Sequence, residues 1–91
     1  MSIQWLFDVI EDRKKNPAEK SYTASLLAAG LPKIAQKVGE EGTEVVVAAL
    51  AQDDQRLIEE IADLTYHTLV LLSARGLTPA HINAELEKRH A

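Results

Sequence analysis

Two pairs of carboxylates stand at helical spacing on either side of a short break in this sequence, Glu41 with Glu44 and then Glu60 with Asp63. Helix faces can be followed at about 100° per residue. With Ile34 as reference, Val45 falls at about +20°, Val38 at about +40° and Ala48 at about −40°, which defines an apolar stripe. Glu41 falls at about −20°, inside that stripe, with Lys37 at about −60° and Glu44 at about −80° along its edge. A carboxylate on an apolar face is too costly to bury without a partner. The following stretch repeats the pattern. Leu57, Ile61, Leu64, Leu71 and Leu72 form an apolar stripe, and Glu60, Asp63 and His67 lie along one flank within about 60° of one another. Antiparallel packing across the short connection at 52–53 brings the two flanks together, so that four carboxylates converge.

Only Lys37 offers an opposite charge close by, so such a cluster calls for a divalent cation. An all-oxygen donor set selects a hard ion, Mg²⁺ first and Mn²⁺ second, over zinc or copper. Mg²⁺ keeps waters and takes phosphate oxygens as its remaining ligands, which points to phosphate chemistry. The competing reading of the same residues is a structural salt-bridge network with Lys37. Acidic residues at i, i+3 and i+4 are ordinary on exposed helices, and Glu40, Glu59 and Asp54 include solvated or dipole-stabilising positions of that kind. His67 reads three ways: a group behind the metal ligands, a substrate hydrogen-bond partner, or a packed histidine. Lys20, Ser21, Tyr22 and Thr23 combine a cation with three hydroxyls where a loop enters a helix, either a phosphate cradle or a simple cap. Glu87 and His90 form one Glu-x-x-His at the end of the chain, where surface exposure is expected; di-iron bundles need two such motifs. A glycine-rich phosphate loop and a His-Glu-x-x-His motif are both missing, and no spacing of Ser, His and Asp suggests a triad.

The elements that must position these groups are helices. Residues 2 to about 15 carry Ile3, Leu6, Phe7 and Ile10 at helical spacing until Asn16-Pro17 stops the run, and Trp5 and Val9 make this helix apolar on a second side. A loop at 17–21 leads to a short helix from Tyr22 to Ala29, closed by Gly30. Pro32 suits the first turn of the next helix, which runs to about Ala51. Asp53 is the expected N-cap of a helix from Asp54 to Arg75, closed by Gly76. Thr78-Pro79 then opens the last helix as N-cap and first residue. No period-2 alternation or hairpin turn appears. The expected fold is all-α, a bundle of four to five helices.

The chain has 91 residues, which fits one domain over 1–91. Of these, 46% are hydrophobic and 26% charged, the balance of a folded globular protein. A domain this small buries only about 60% of its unfolded surface, so completion by homo-oligomerisation, a dimer first, is expected. The net charge of −4 argues against nonspecific nucleic-acid binding. Without cysteine there are no disulfides and no thiolate sites. No basic segment precedes an apolar stretch at Met1-Ser2-Ile3-Gln4-Trp5, and no run approaches the roughly 20 apolar residues of a membrane span. A cytoplasmic protein without membrane partners is expected.

The strings "QKVGEEGTEVVVAAL" and "EEIADLTYHTLVLL", preceded by "SYTASLLAAG", resemble the phosphoribosyl-ATP pyrophosphohydrolase family and, more broadly, the all-α nucleoside triphosphate pyrophosphohydrolases. The broader pattern is Glu-Glu-x-x-Glu followed on the next helix by Glu-x-x-Asp. Here it is met by Glu40-Glu41-Gly42-Thr43-Glu44 and Glu60-Ile61-Ala62-Asp63, and the likeness extends from "LFDVIEDRKKNP" to the terminal "EKRHA". The resemblance implies cleavage of phosphoribosyl-ATP to phosphoribosyl-AMP and pyrophosphate, the second step of histidine biosynthesis. It implies Mg²⁺ ligation by Glu41, Glu44, Glu60 and Asp63, and it makes Lys33, Lys37, Ser21, Tyr22 and Thr23 candidate substrate contacts, with His67 beside them. Glu40 or Glu44 is the expected base for the attacking water. Ser25 stands where many relatives carry Lys. Two alternatives compete: a house-cleaning pyrophosphohydrolase acting on other nucleoside triphosphates, and a non-enzymatic helical dimerisation module.

Overall fold

The computed structural model describes residues 2–91 and contains, in chain order, α1 (Ile3–Lys15), α2 (Tyr22–Ala29), α3 (Leu31–Ala51), α4 (Asp54–Ala74) and α5 (Pro79–His90). Among the described residues there is no strand, so the fold is all-α.

Local chemistry sets each boundary. The Ser2 hydroxyl accepts from the Trp5 amide, and Arg13, Lys14 and Lys15 crowd the last turn of α1, where cations meet the negative end of the helix dipole. Ser21 caps α2 through the Ala24 amide. Gly30 turns the chain directly from α2 into α3 at φ 97°, a left-handed conformation that strains a residue carrying a Cβ. Asp53 caps α4 by accepting from the Arg56 amide at 2.9 Å. At the other end Gly76, at φ 72°, lets the Leu77 amide reach the Leu72 carbonyl at 2.8 Å, a Schellman closure. The Thr78 amide donates to His81 Nδ1 at the head of α5.

α3 and α4 form the framework, a helical hairpin turned at Gln52-Asp53, and α1 and α2 pack against it. The core joins Phe7 and Ile10 of α1, Leu26 of α2, Ile34 of α3, and Leu69, Val70 and Leu72 of α4.

The structure corrects the expected stripe on α4. Its buried residues are Glu60, His67, Leu69, Val70, Leu72 and Ser73, whereas Ile61 is 46% exposed and Leu57 and Leu64 are only half-buried. The flank that carries Glu60 and His67 is the inward face. At about 1.5 Å rise per residue, α4 is roughly 30 Å long, while the core draws only on its C-terminal half, from Leu69 to Leu72. Its first turns meet α3, and the polar Glu60 faces inward there. On α3 the expectation holds better: Ile34, Glu41 and Ala48 are buried and Val38 and Val45 half-buried.

Candidate active site

Glu41 arises from the apolar stripe of α3 and is only 6% exposed, as is Glu60 on α4. Carboxylate oxygens of Glu41, Glu60 and Asp63 lie within 4.8 Å of one another, with Asp63 on the exposed side. Positive charge approaches from two directions. Lys37 Nζ lies 3.8 Å from Glu41 Oε1, and the Arg56 guanidinium donates to Glu60 Oε1 at 2.6 Å. Each buried carboxylate nevertheless keeps one oxygen, Glu41 Oε2 and Glu60 Oε2, buried without a hydrogen-bond partner. Buried polar atoms are nearly always satisfied in folded proteins, so two orphaned carboxylate oxygens in one three-carboxylate cluster fit a cation site.

Glu44 stands apart from that trio and meets Glu60 instead. A hydrogen bond with the Glu44 carboxyl that only a protonated carboxyl can form, together with burial and the Glu44 charge, holds the Glu60 carboxyl above its ordinary range, against the opposing pull of Arg56. Glu40 is exposed and accepts from Gln36 Nε2 at 2.8 Å. Lys33 is exposed on the first turn of α3, one turn before Lys37.

The α2 segment turns its hydroxyls toward α4. The Tyr22 hydroxyl lies 3.1 Å from His67 Nε2, and the Thr23 hydroxyl bonds that of Tyr66. The Ser21 hydroxyl serves as the α2 cap. His67 is buried; its Nδ1 lies 2.9 Å from the Asp63 carbonyl oxygen and 3.9 Å from Glu41 Oε1. A carbonyl only accepts, so Nδ1 carries the proton and Nε2 accepts from Tyr22. Both ring nitrogens are therefore engaged by the protein, and His67 links α2 to the carboxylates. The rings of Tyr22, Tyr66 and His67 pack together, with Tyr66 and His67 edge-on at 5.0 Å.

Two participants, Arg56 and Tyr66, lie outside the residues expected from the sequence. Arg56 lies four residues before Glu60, and that i, i+4 spacing is its signal in the sequence. Tyr66 has no comparable local signal, because its partner Thr23 lies on another helix.

Facing helices that gather carboxylates, with no strand among the described residues, make this an all-α protein with a candidate cation site. Sequence comparison supplies the class, hydrolases that act on phosphoanhydride bonds, and with it the family. The model of the family described as phosphoribosyl-ATP pyrophosphohydrolase matches residues 4–90, and the chain belongs to this family. It is 53% identical over 88 residues to the phosphoribosyl-ATP pyrophosphatase of Lacticaseibacillus casei, covering 97% of this chain and 80% of that one. It is 52% identical over 87 residues to the protein of that name from Clostridium botulinum, covering 96% and 79%. A third relative of the same name, from Sulfolobus acidocaldarius, is 46% identical over 87 residues, covering 96% and 92%.

Proposed function

We propose that this enzyme hydrolyses phosphoribosyl-ATP to phosphoribosyl-AMP and pyrophosphate, the second step of histidine biosynthesis, and that it requires Mg²⁺, with Mn²⁺ as a substitute. The observation that carries the metal requirement is the pair of orphaned, buried oxygens on Glu41 and Glu60 beside Asp63. Glu41, Glu60 and Asp63 would hold the cation, joined by Glu44. When bound, the ion supplies positive charge against the phosphate oxygens and so lowers the cost of charge moving onto the leaving group.

The protein's own residues do the rest. Lys37, 3.8 Å from Glu41, would contact the substrate phosphates, and Lys33 would extend that positive edge by one turn. Tyr22 is held by His67 while the residue stays half exposed, a fixed surface against which the nucleotide would rest. Glu44 would serve as the base in preference to Glu40, because Glu40 is bonded to Gln36 whereas Glu44 neighbours Glu60. A second copy of the chain would complete the assembly over the apolar side chains left open around α4 and α5.

Pyrophosphate release from phosphoribosyl-ATP, with Mg²⁺ and with chelator, tests this reading. Release that depends on the metal, with little turnover of ATP or other plain triphosphates, is the expected result. Comparable turnover of the triphosphates would favour a house-cleaning role, and no turnover of any nucleotide would overturn the assignment.

A further inference from the structure

Arg56 occupies an unusual place for a surface arginine. It stands in the first turn of α4, and its guanidinium donates to Glu60 Oε1 at 2.6 Å and to Glu59 Oε1 at 2.5 Å. Glu60 is one of the three carboxylates whose oxygens converge within 4.8 Å, and its other oxygen is buried without a partner. One oxygen of this candidate ligand thus already carries a cationic partner supplied by the protein. The hydrogen bond to Glu59, with the charges of Glu59 and Glu60, favours the charged form of Arg56. Arg56 also borders a pocket of about 310 Å³ lined by Glu44, Val47, Gln52 and Glu60, so the guanidinium has room to leave the carboxylate while its Cα stays fixed.

We propose that Arg56 is a tethered counter-ion of the cation site: it neutralises Glu60 when no divalent ion is bound and is displaced from Glu60 when one binds. The inference rests on the reading of Glu41, Glu60 and Asp63 as cation ligands. Without Arg56, the buried Glu60 would face Glu44 with no opposite charge in contact, because Lys37 lies against Glu41 instead. The same contact opposes metal binding twice over. The guanidinium must surrender a charge-assisted hydrogen bond, and its charge repels the incoming ion. Both effects lower cation affinity and both weaken in salt, because the Arg56 side chain is about half exposed.

Direct Mn²⁺ binding, followed by the loss of the free-ion electron paramagnetic resonance signal, tests this without reference to turnover. Arg56→Met removes the charge while keeping the aliphatic stem. The expected result is tighter Mn²⁺ binding by roughly three- to tenfold, narrowing as salt is raised. Arg56→Lys, which keeps the charge, is expected to stay within about twofold of the parent. Arg13→Met serves as a control, because it changes net charge equally but removes only the pair with Asp12 on α1; its Mn²⁺ affinity should match the parent. Unchanged or weaker binding in Arg56→Met overturns the inference, as does equal tightening in Arg13→Met. Absence of any Mn²⁺ or Mg²⁺ binding by the parent protein would instead overturn the cation site itself.

Discussion

The Tyr22 hydroxyl donates to His67 Nε2 across 3.1 Å, and the same imidazole donates from Nδ1 to the main-chain oxygen of Asp63 at 2.9 Å. One buried ring thereby joins the head of α2 to the turn of α4 that carries a candidate metal ligand. The exposed Tyr22 ring and the carboxylate cluster are held in a fixed relation by two hydrogen bonds of opposite polarity.

Removing the first of those bonds has a calculable consequence. Tyr22→Phe leaves His67 Nε2 without its donor, which costs about 1–3 kcal/mol for a buried acceptor. Tyr22 is half exposed, so water can replace part of the bond and the lower end applies. For a domain of this size about 1 kcal/mol lowers Tm by about 4–8 °C. KM for the nucleotide should rise while the Mg²⁺-induced thermal shift persists, because Glu41, Glu60 and Asp63 are untouched. Melting curves with and without Mg²⁺, beside substrate titrations, check both halves; an unchanged KM would remove Tyr22 from the substrate surface.

Glu41→Gln and Asp63→Asn each delete one charge from the trio and leave the helices in place. Disturbing groups behind metal ligands commonly costs about 10–100-fold, and removing a ligand should cost more than that. Circular dichroism should stay close to the parent, Mg²⁺ should no longer raise Tm, and pyrophosphate release should fall by more than about a hundredfold. A variant that keeps near-parent turnover in Mg²⁺ would take its residue out of the site.

Glu60 sets a pH dependence whose sign follows from its raised carboxyl. Hydrogen bonding with Glu44, burial and the Glu44 charge favour the neutral form in the folded state. A group raised in this way contributes stability that is fully present below its unfolded pKa and is lost as pH rises through the higher folded value. In chelator, Tm should therefore decline above the ordinary carboxylate range, and Glu60→Gln should remove that part of the decline. Melting temperatures of parent and variant across this window in chelator decide the matter, since a constant gap between the two curves would deny Glu60 the role.

The helix ends are legible in the sequence because each is set by chemistry a few residues wide: Asp53 before α4, Gly76 after it, and Pro79 opening α5. The burial of Glu41 is legible for a similar reason, since Ile34, Val38, Val45 and Ala48 mark one face of α3 and Glu41 lies within it. α4 is apolar on more than one side, and which side turns inward depends on where α1 and α2 meet it. Periodicity along one helix carries no such information, so Ile61 reads as core and is half exposed, while Glu60 and His67 read as flank and are buried. The bond between Tyr22 and His67 spans 45 residues and lies beyond any local pattern.

The open apolar surface yields the last prediction. Ile3, Ile82 and Leu86 are exposed and line, with Leu64, Leu69 and Leu72 below them, a groove of about 380 Å³ between α1, α4 and α5. Trp5 lies exposed on the same first turns of α1. A monomer of this size rarely leaves so many large apolar side chains together in water, and covering them with a second copy gains about 25 cal/mol for each Å² of apolar surface removed. The chain should therefore sediment as a dimer at micromolar concentration. Ile82→Glu with Leu86→Glu places two charges in that contact and should shift the protein to monomer, with its helicity kept because neither side chain belongs to the core. Analytical ultracentrifugation over a concentration series checks this, and a parent protein that is monomeric throughout, or a double variant that still pairs as tightly, would move the interface elsewhere or abolish it.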